Sequence, residues 1–321
     1  MHAVSTRFYY TELKGVRLCP WKSLSASKAF DCSSHNSSHN VAYRCPTCAE
    51  ALRVLDKHTL KCDSGHTTLR AKEGYVHLLP SGRKAPVNAA GDSSEMVKAR
   101  RRFFDAGRYS FVAEELGHLI MALTGSCSEV ALLDAGCGEG MYVGCVQAML
   151  QGAGKACTAH GVDVSKTAIR MAAKRHRTVS FAVASSYILP FDDQVFDVVI
   201  SVFAPVAAQE FARVLRPATG ILVVAQPGSG HLLELKQLLY EDPALFSEEG
   251  IPQADLQQAG LEHVQSVRVE RQVALPHEEA LDLLAMTPYS WHAPVDIAKR
   301  MSREADFTIS LEILLTAYRT K

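Results

Sequence analysis

The chain has 321 residues, of which 47% are hydrophobic and 21% charged, and its formal net charge at pH 7 is zero. This composition is typical of a folded protein with a sizeable core and excludes global disorder. No run of about 18 apolar residues is present, which excludes a transmembrane helix, and the first twenty residues lack the apolar stretch of a secretory signal.

The charges are unevenly distributed along the chain. Residues 1–110 contain 18 Lys and Arg against 9 Asp and Glu, whereas residues 111–321 contain 16 against 25. This asymmetry favours an N-terminal third that faces a polyanion. The alternative is an uneven but solvated surface, without a polyanionic partner.

The composition also divides the chain into four segments. Residues 1–44 are rich in Ser and poor in acids and apolar residues, which predicts a disordered extension. Residues 45–80 contain Cys and His and predict a zinc-binding domain. Residues 81–110 predict a Gly/Pro/Asn/Ser linker and a basic helix over 95–106.

Residues 111–321 alternate between helical and strand patterns, which predicts a parallel sheet covered by helices. The predicted helices are 111–124, 141–150, 166–177 and 209–215, and the predicted strands are 130–134, 159–163, 180–184, 196–202, 220–226, 264–269 and 307–318. The expected fold class is therefore α/β, with a mostly parallel seven-stranded Rossmann-like sheet that follows a small Cys3His zinc-binding domain.

The metal signal is a C-x2-C-x13-C-x3-H spacing formed by Cys45, Cys48, Cys62 and His66. Two cysteines separated by two residues can direct both sulfurs at one ion, and a hairpin can bring the second pair alongside. Cys3His is a common structural zinc set with no open coordination position. The alternative is a coincidence of unpaired thiols.

A glycine-rich segment follows the first predicted strand of the sheet. Asp134, Gly136, Gly138 and Gly140 form a D-x-G-x-G-x-G pattern, and Asp163 ends the next strand 23 residues after Gly140. The glycines allow a ligand to approach the backbone, and an acid at the second strand end can accept both ribose hydroxyls. A nicotinamide dinucleotide and S-adenosylmethionine both fit this pattern.

The pattern resembles the first motif of class I methyltransferases more than the dehydrogenase G-x-G-x-x-G. Residues 184–191 and 210–217 also resemble their counterparts in these methyltransferases. The resemblance implies S-adenosylmethionine as the cofactor and a class I methyltransferase fold for residues 111–321.

Five further stretches resemble the bacterial 23S rRNA (guanine-N1)-methyltransferase family. They are AKEGYVHLLP at 71–80, GDSSEM at 91–96, ARRRFFDAGRY at 99–109, HLLELK at 231–236 and MTPYSW at 286–291. The resemblance extends from about residue 44 to residue 321. It implies methyl transfer to N1 of a guanine in 23S rRNA, with zinc on the Cys3His set.

The same resemblance implies that Tyr109, Gly138, Glu139 and His231 contact S-adenosylmethionine. The residues alone allow other interpretations. Tyr109 could be a core aromatic residue, and His231 could cap a helix after the fifth strand of the parallel series. Tyr289 and Trp291 could be core residues rather than residues that stack on bases.

The predicted basic helix is the candidate RNA-binding element. Lys98, Arg101 and Arg102 share one helical face by their three- and four-residue spacing, and Arg83 and Lys84 precede them in the linker. Arg100 points elsewhere and is expected to be structural. The alternative is a solvated helix face.

The residues after the strand 196–202 bear on the target atom. The stretch 202–206 has neither an acid nor an amide, and methyltransferases that act on exocyclic amines usually have Asn/Asp-Pro-Pro-aromatic there. An exocyclic amine is therefore disfavoured, and no general base is identified. The other functions considered are a small-molecule methyltransferase and an inactive zinc-organised RNA-binding protein. A cytoplasmic location without membrane association is expected, and a homodimer is left open.

Overall fold

The computed structural model describes residues 11–13, 16–18, 41–79, 93–125, 127–240, 253–287, 289, 294, 296–301 and 307–321. The segment 1–44 is predicted to be disordered, and the structure describes part of it. Strands β1 (Thr11–Leu13) and β2 (Val16–Leu18) pair as an antiparallel hairpin, with Lys14-Gly15 between them in the sequence. The rest of 1–40 lies outside the described residues.

A three-stranded antiparallel sheet forms the small N-terminal unit. Its strands are β3 (Arg53–Val54), β4 (Thr59–Lys61) and β5 (Thr67–Leu69), in that order. With only eight residues in strands, this sheet is too small to stabilise itself by burial alone, so its loops need another source of stability.

The main sheet has eight strands. In chain order they are β6 (Val76–His77), β7 (Glu129–Ala135), β8 (Ala156–Asp163), β9 (Ser180–Val183), β10 (Val198–Val202), β11 (Ile221–Pro227), β12 (Leu261–Leu275) and β13 (Phe307–Thr320). Their order across the sheet is β12-β13-β11-β10-β7-β8-β9-β6. The strands from β11 to β6 are parallel to one another, and β13 and β12 are antiparallel to their neighbours.

Nine helices are described along the chain. They are α1 (Ser94–Asp105), α2 (Ser110–Thr124), α3 (Met141–Gly152), α4 (Lys166–Arg175), α5 (Ala208–Val214), α6 (Leu233–Leu239), α7 (Gln253–Gln258), α8 (His277–Ala285) and α9 (Ile297–Met301). The Ser93 hydroxyl caps α1 by accepting a hydrogen bond from the Met96 N–H at 3.2 Å. None of the described helices is long and apolar enough to cross a membrane.

The core lies on both faces of the central strands. All five residues of β10 and six of the seven in β7 are buried, as expected for parallel strands covered by helices on both sides. From β7 the chain adds β8 and β9 on one side and then returns to place β10 on the other side. The carboxyl ends of β7 and β10 therefore flank the crevice where this sheet topology binds ligands.

Every helix and strand predicted for residues 95–320 is present, but the structure adds the helices α6, α7, α8 and α9, which were not predicted. Three further differences concern the predicted elements and the sheet. The helix predicted to reach residue 177 ends at Arg175, with His176 as its C-cap. Strand β12 is longer than the predicted 264–269, because this edge strand has charged residues that hide its ends from a hydrophobicity pattern. The sheet has eight strands rather than seven.

The eighth strand comes from the segment predicted to belong to the zinc-binding domain. Val76 and His77 pair with Ala182 and Val183 of β9. The other end of the same segment is also attached, because the Arg44 N–H donates to the Pro190 carbonyl at 2.8 Å. The small unit is therefore joined to the main sheet at one end and to the loop between β9 and β10 at the other.

Candidate zinc site and active site

The four predicted metal ligands come together in the structure. The ligand atoms of Cys45, Cys48, Cys62 and His66 all lie within 4.8 Å of one another. Cys48 Sγ is 3.5 Å from Cys62 Sγ, and Cys62 Sγ is 3.4 Å from His66 Nδ1. A zinc tetrahedron with Zn–S bonds of about 2.3 Å has edges of about 3.8 Å, so the donor set fits one zinc ion.

Two tight turns bring these ligands together. In the first turn the Ala49 N–H donates to the Cys45 carbonyl at 2.9 Å, and in the second the Gly65 N–H donates to the Cys62 carbonyl at 3.0 Å. Glu50 links the turns, because its Oε2 accepts from the Ser64 N–H at 2.8 Å and lies 3.6 Å from Cys48 Sγ. Contacts outside the ligand set of this kind orient metal ligands. The spacing motif contained no signal for Glu50.

The glycine pattern forms the turn between β7 and α3. Gly136, Gly138 and Gly140 have φ values of 87°, 53° and 80°, in the left-handed region. A Cβ on Gly136 would lie 2.5 Å from the Cβ of Ala204, and a Cβ on Gly140 would lie 2.9 Å from Cζ of Phe181. Both positions therefore require glycine, and the turn exposes backbone where a ligand can approach closely.

Asp163 lies beside this turn at the end of β8. Its Oδ2 accepts from the Gly138 N–H at 2.9 Å, and its Oδ1 accepts from the Ser165 N–H at 2.7 Å. These bonds fix the carboxylate next to the glycine turn. A carboxylate accepts up to about four hydrogen bonds, which is compatible with ribose hydroxyls as additional donors.

Asp134 is fully buried at the base of the turn. Neither of its carboxylate oxygens forms a hydrogen bond of normal geometry with the described residues, although the backbone N–H of Val143 lies nearby. Burial, and then the charge of Asp163, raise the pKa of Asp134 to about 8, while the backbone N–H of Val143 acts in the opposite direction. The nearby hydroxyl of Tyr142 is also buried and has no hydrogen-bond partner among the described residues. Unpaired polar atoms of this kind indicate a place for a polar ligand.

Tyr109 and His231 form a hydrogen-bonded pair on the other side of the site. His231 Nδ1 accepts the backbone N–H of Glu312 at 3.2 Å, and His231 Nε2 lies 3.2 Å from the Tyr109 hydroxyl. Burial lowers the pKa of His231 to about 3, so the imidazole is neutral. Because Nδ1 accepts, Nε2 holds the proton and donates it to the Tyr109 oxygen. The Tyr109 hydroxyl hydrogen is then directed away from His231.

This arrangement tests the alternative interpretations of Tyr109 as a core aromatic residue and of His231 as a helix cap. The Tyr109 ring packs against Phe103 and Phe111 as a core aromatic residue does, but its hydroxyl belongs to the pair. The interpretation of His231 as a helix cap is wrong. Leu232 is the N-cap of α6 and has no side-chain cap bond, and both His231 ring nitrogens are engaged elsewhere.

Glu139 is held by the basic helix. Its side chain is 2% exposed, and Oε2 forms an ion pair with Arg101 Nη1 at 3.1 Å. Burial raises the pKa of Glu139, and the charge of Arg101 opposes that shift. The carboxylate thus joins α1 to the glycine turn.

The other basic residues of α1 also form ion pairs within the chain. Arg102 binds the Asp282 carboxylate through two nitrogens, and Lys98 lies 2.8 Å from Glu95. Their side chains are 61% and 53% exposed, against 24% for Arg101. The three side chains predicted to bind RNA thus all form ion pairs within the chain, and Arg101 is the least exposed of them. Their role in RNA binding stays a prediction.

Arg100 and Phe203 also lie at the site, and neither was predicted to have a role there. A Cβ on Gly138 would lie 3.9 Å from Arg100 Nη1, and Arg100 Nη2 donates to the Met286 carbonyl at 3.3 Å. Phe203 follows β10 and packs on Tyr109 and His231. The only signal in the sequence was their position, next to the Arg101-Arg102 pair and at a strand end.

Of the remaining candidates, Tyr289 is partly buried against the same hydrophobic core as Tyr109, and the others lie outside the described residues. The Tyr289 ring packs against Tyr240, with centroids 6.4 Å apart. Trp291, Arg83 and Lys84 lie outside the part of the chain that the structure describes.

Comparison with known families agrees with this geometry. A family profile described as "Methyltransferase domain" matches residues 132–221, and a zinc-ribbon profile described as "RlmA, N-terminal" matches residues 43–86. The 23S rRNA (guanine(748)-N(1))-methyltransferase of Streptomyces fradiae is 34% identical over 81% of this chain and 89% of its own length. YxjB of Bacillus subtilis, provisionally named a 23S rRNA (guanine-N1)-methyltransferase, is 32% identical over 85% of this chain and 96% of its own length.

A solved structure, the YcgJ protein of Bacillus subtilis, is 20% identical over 64% of this chain and 99% of its own length, with a TM-score of 0.43. The sheet, the glycine turn and the two domain profiles define a class I methyltransferase that uses S-adenosylmethionine and is preceded by a ribbon with a structural zinc ion. The sequence identity to these two relatives, which extends over most of the chain, identifies the family within this class. The chain belongs to the 23S rRNA (guanine-N1)-methyltransferase family.

Proposed function

We propose that this protein transfers a methyl group from S-adenosylmethionine to N1 of a guanine in 23S rRNA. The observation that carries the proposal is the 34% identity to the Streptomyces fradiae guanine-N1 enzyme over 89% of that enzyme. The residues after β10 support the same target. The stretch 202–206 has no acid or amide to bind an exocyclic amine.

The cofactor would be held by residues at the ends of β7 and β8, together with one residue just before α2 and one just before α6. We assign this role to Asp134, Gly136, Gly138, Glu139, Gly140, Asp163, Tyr109 and His231. The support is the buried unpaired carboxylate of Asp134, the glycine turn that a Cβ would obstruct, and the Tyr109 hydroxyl hydrogen that His231 leaves available.

The bound cofactor supplies a methyl group on a positively charged sulfur that is already activated for transfer. The work of the protein is then to hold the acceptor nitrogen in line with that methyl group, a contribution of positioning. Asp163 on β8 fixes the ribose side of the site, and Tyr109 and His231 close the side next to β10. Transfer to N1 also releases the N1 proton to a base.

The zinc ion would have a structural role. Cys45, Cys48, Cys62 and His66 occupy all four positions of a tetrahedron, so no position is left for a reacting water or substrate. We propose residues 45–80 as the zinc-binding unit, 81–110 as the connection and 111–321 as the methyltransferase unit.

Ribosomal RNA would dock on the basic N-terminal third. The excess of Lys and Arg in residues 1–110 supports this, together with the exposed side chains of Lys98 and Arg102 on α1. Arg101 is included in this surface, although part of its charge is neutralised by Glu139. A methyl group at N1 blocks the pairing edge of guanine, so an unpaired loop is the expected target. An enzyme with this substrate would act in the cytoplasm.

A methyl-transfer assay tests the proposal. Protein and tritiated S-adenosylmethionine are incubated with unmodified 23S rRNA, with a mixture of small metabolites or with no acceptor, and the RNA nucleosides are analysed by mass spectrometry. We expect N1-methylguanosine in the 23S rRNA sample alone. A methyl group on adenine, on cytosine or on guanine N2 would overturn the proposal, as would transfer to metabolites alone.

A further inference from the structure

Phe203 combines three features that a core residue does not need. It follows β10 at the carboxyl edge of the sheet, its side chain is 41% exposed, and its φ is 53°. A bulky residue in the left-handed region is a conformational outlier, and such outliers concentrate at functional sites.

Neighbouring backbone holds Phe203 in this conformation. Its N–H donates to the Ala225 carbonyl of β11 at 3.0 Å. The next residue, Ala204, packs against Gly136, whose missing side chain makes room for it. The loop after β10 is thus fixed between the β11 strand and the glycine turn, and the ring direction is set by these contacts.

Aromatic rings surround only part of the Phe203 ring. The imidazole of His231 is stacked with it at an interplanar angle of 25° and a centroid distance of 6.0 Å. Tyr109 and Tyr142 meet it in edge arrangements, at 5.9 and 6.4 Å. The neutral imidazole is therefore a nearly parallel neighbour of the ring, and Phe203 remains accessible to another planar group.

The strand order indicates which planar group this is. Asp163, the ribose candidate, ends β8, and the glycine turn follows β7. Phe203 follows β10, on the opposite side of β7 from β8. A cofactor that extends from Asp163 across the glycine turn presents its other end toward β10, so the acceptor base must enter from the β10 side.

We propose that Phe203 is the platform on which the target guanine stacks, with His231 supporting the opposite face of the ring. This inference rests on the proposed function. Stacking holds a flipped-out base in a fixed plane without the acid or amide that the stretch 202–206 lacks. The rigid backbone of the loop then sets the height of that plane relative to the glycine turn.

The test separates the effect of the aromatic face of Phe203 from the effect of its side-chain volume. Phe203→Leu keeps an apolar side chain and removes the aromatic face, whereas Phe203→Trp keeps a larger face. The measured quantities are kcat/KM for methyl transfer to unmodified 23S rRNA, the calorimetric affinity for S-adenosylmethionine and the melting temperature. Tyr187→Leu serves as the matched control, because Tyr187 is an even more accessible aromatic residue, 59% exposed against 41% for Phe203, on the loop after β9.

We expect Phe203→Leu to lower kcat/KM by about 5- to 150-fold, the range for losing one base–aromatic stack. Cofactor affinity and melting temperature should match those of the wild type. Phe203→Trp should retain more kcat/KM than Phe203→Leu, and Tyr187→Leu should have the kcat/KM of the wild type. An unchanged kcat/KM in Phe203→Leu overturns the platform. A loss of S-adenosylmethionine affinity equal to the loss of kcat/KM also overturns the platform, because the ring would then belong to the cofactor site.

The same experiment distinguishes failure of the proposed function from failure of the Phe203 platform. If the wild-type protein transfers no methyl group to 23S rRNA, the proposed function fails and the platform fails with it. If the wild type forms N1-methylguanosine and Phe203→Leu is equally active, only the platform is refuted.

Discussion

Replacing Asp134 by asparagine tests whether a proton resides on this buried carboxyl group. In the unfolded chain its pKa is near 3.8, and in the folded protein it is raised to about 8. Below pH 3.8 the group is protonated in both states and contributes nothing. Between pH 3.8 and 8 the folded protein keeps a proton that the unfolded chain releases, so a rise in pH favours unfolding. Asparagine removes this dependence.

The expected magnitude follows from that interval. Each pH unit within it changes the free energy of unfolding by about 1.36 kcal/mol. Because the slope decreases close to the folded pKa, the stability of Asp134→Asn relative to the wild type should rise by about 2 kcal/mol between pH 6 and pH 8. For a domain of this size that corresponds to roughly 4–8 °C in melting temperature.

Thermal melting of the zinc-bound, cofactor-free proteins at several pH values measures this difference. Asp192→Asn is the control, because the Asp192 side chain is 55% exposed, and its melting profile should follow that of the wild type at every pH. A difference between Asp134→Asn and the wild type that stays constant from pH 6 to pH 8 would refute the raised pKa. The carboxylate would then be ionised and satisfied by a partner.

Three further predictions concern the metal, the cofactor and the RNA. Cys48→Ala should lower the zinc content and loosen the small N-terminal unit, and a full equivalent of zinc by elemental analysis would contradict the ligand set. Asp163→Ala should weaken S-adenosylmethionine binding by about 1–3 kcal/mol, because hydrogen-bonding groups lose their partner, and an unchanged calorimetric affinity would remove Asp163 from the site. Lys98→Gln with Arg102→Gln should reduce the slope of log affinity for RNA against log salt by roughly 0.7 to 0.9 per lost phosphate contact. This pair avoids Arg101, whose loss would leave Glu139 buried without its partner, and a slope equal to that of the wild type would place RNA docking elsewhere.

Local spacing was sufficient to predict the glycine turn, the position of Asp163 beside that turn and the clustering of the four zinc ligands. In each case the chemistry depends on residues whose relative positions follow from one turn or one strand end. The Cys45 and Cys48 sulfurs, for example, are brought together by a single tight turn. The parallel sheet was predictable for a similar reason, since buried central strands such as β10 consist of continuous apolar residues.

Contacts between distant segments were not predictable in this way. Strand β6 has two residues, too few for any periodicity, and its partner β9 lies about 100 residues later. The expectation that Arg100 is only structural rested on its direction from an isolated helix. The structure adds the glycine turn as its neighbour, which no helical spacing could reveal.

The pairing of β6 with β9 has a consequence for anyone who wishes to prepare the catalytic half alone. Residues 180–183 of β9 include three buried residues, and β6 covers the backbone edge of this strand. Deleting residues 41–79 would uncover a row of unpaired N–H and C=O groups beside an apolar surface, which is a template for strand addition from another molecule. A shortened enzyme should therefore associate through β9 in a concentration-dependent manner, and a shortened form that keeps β6 should not.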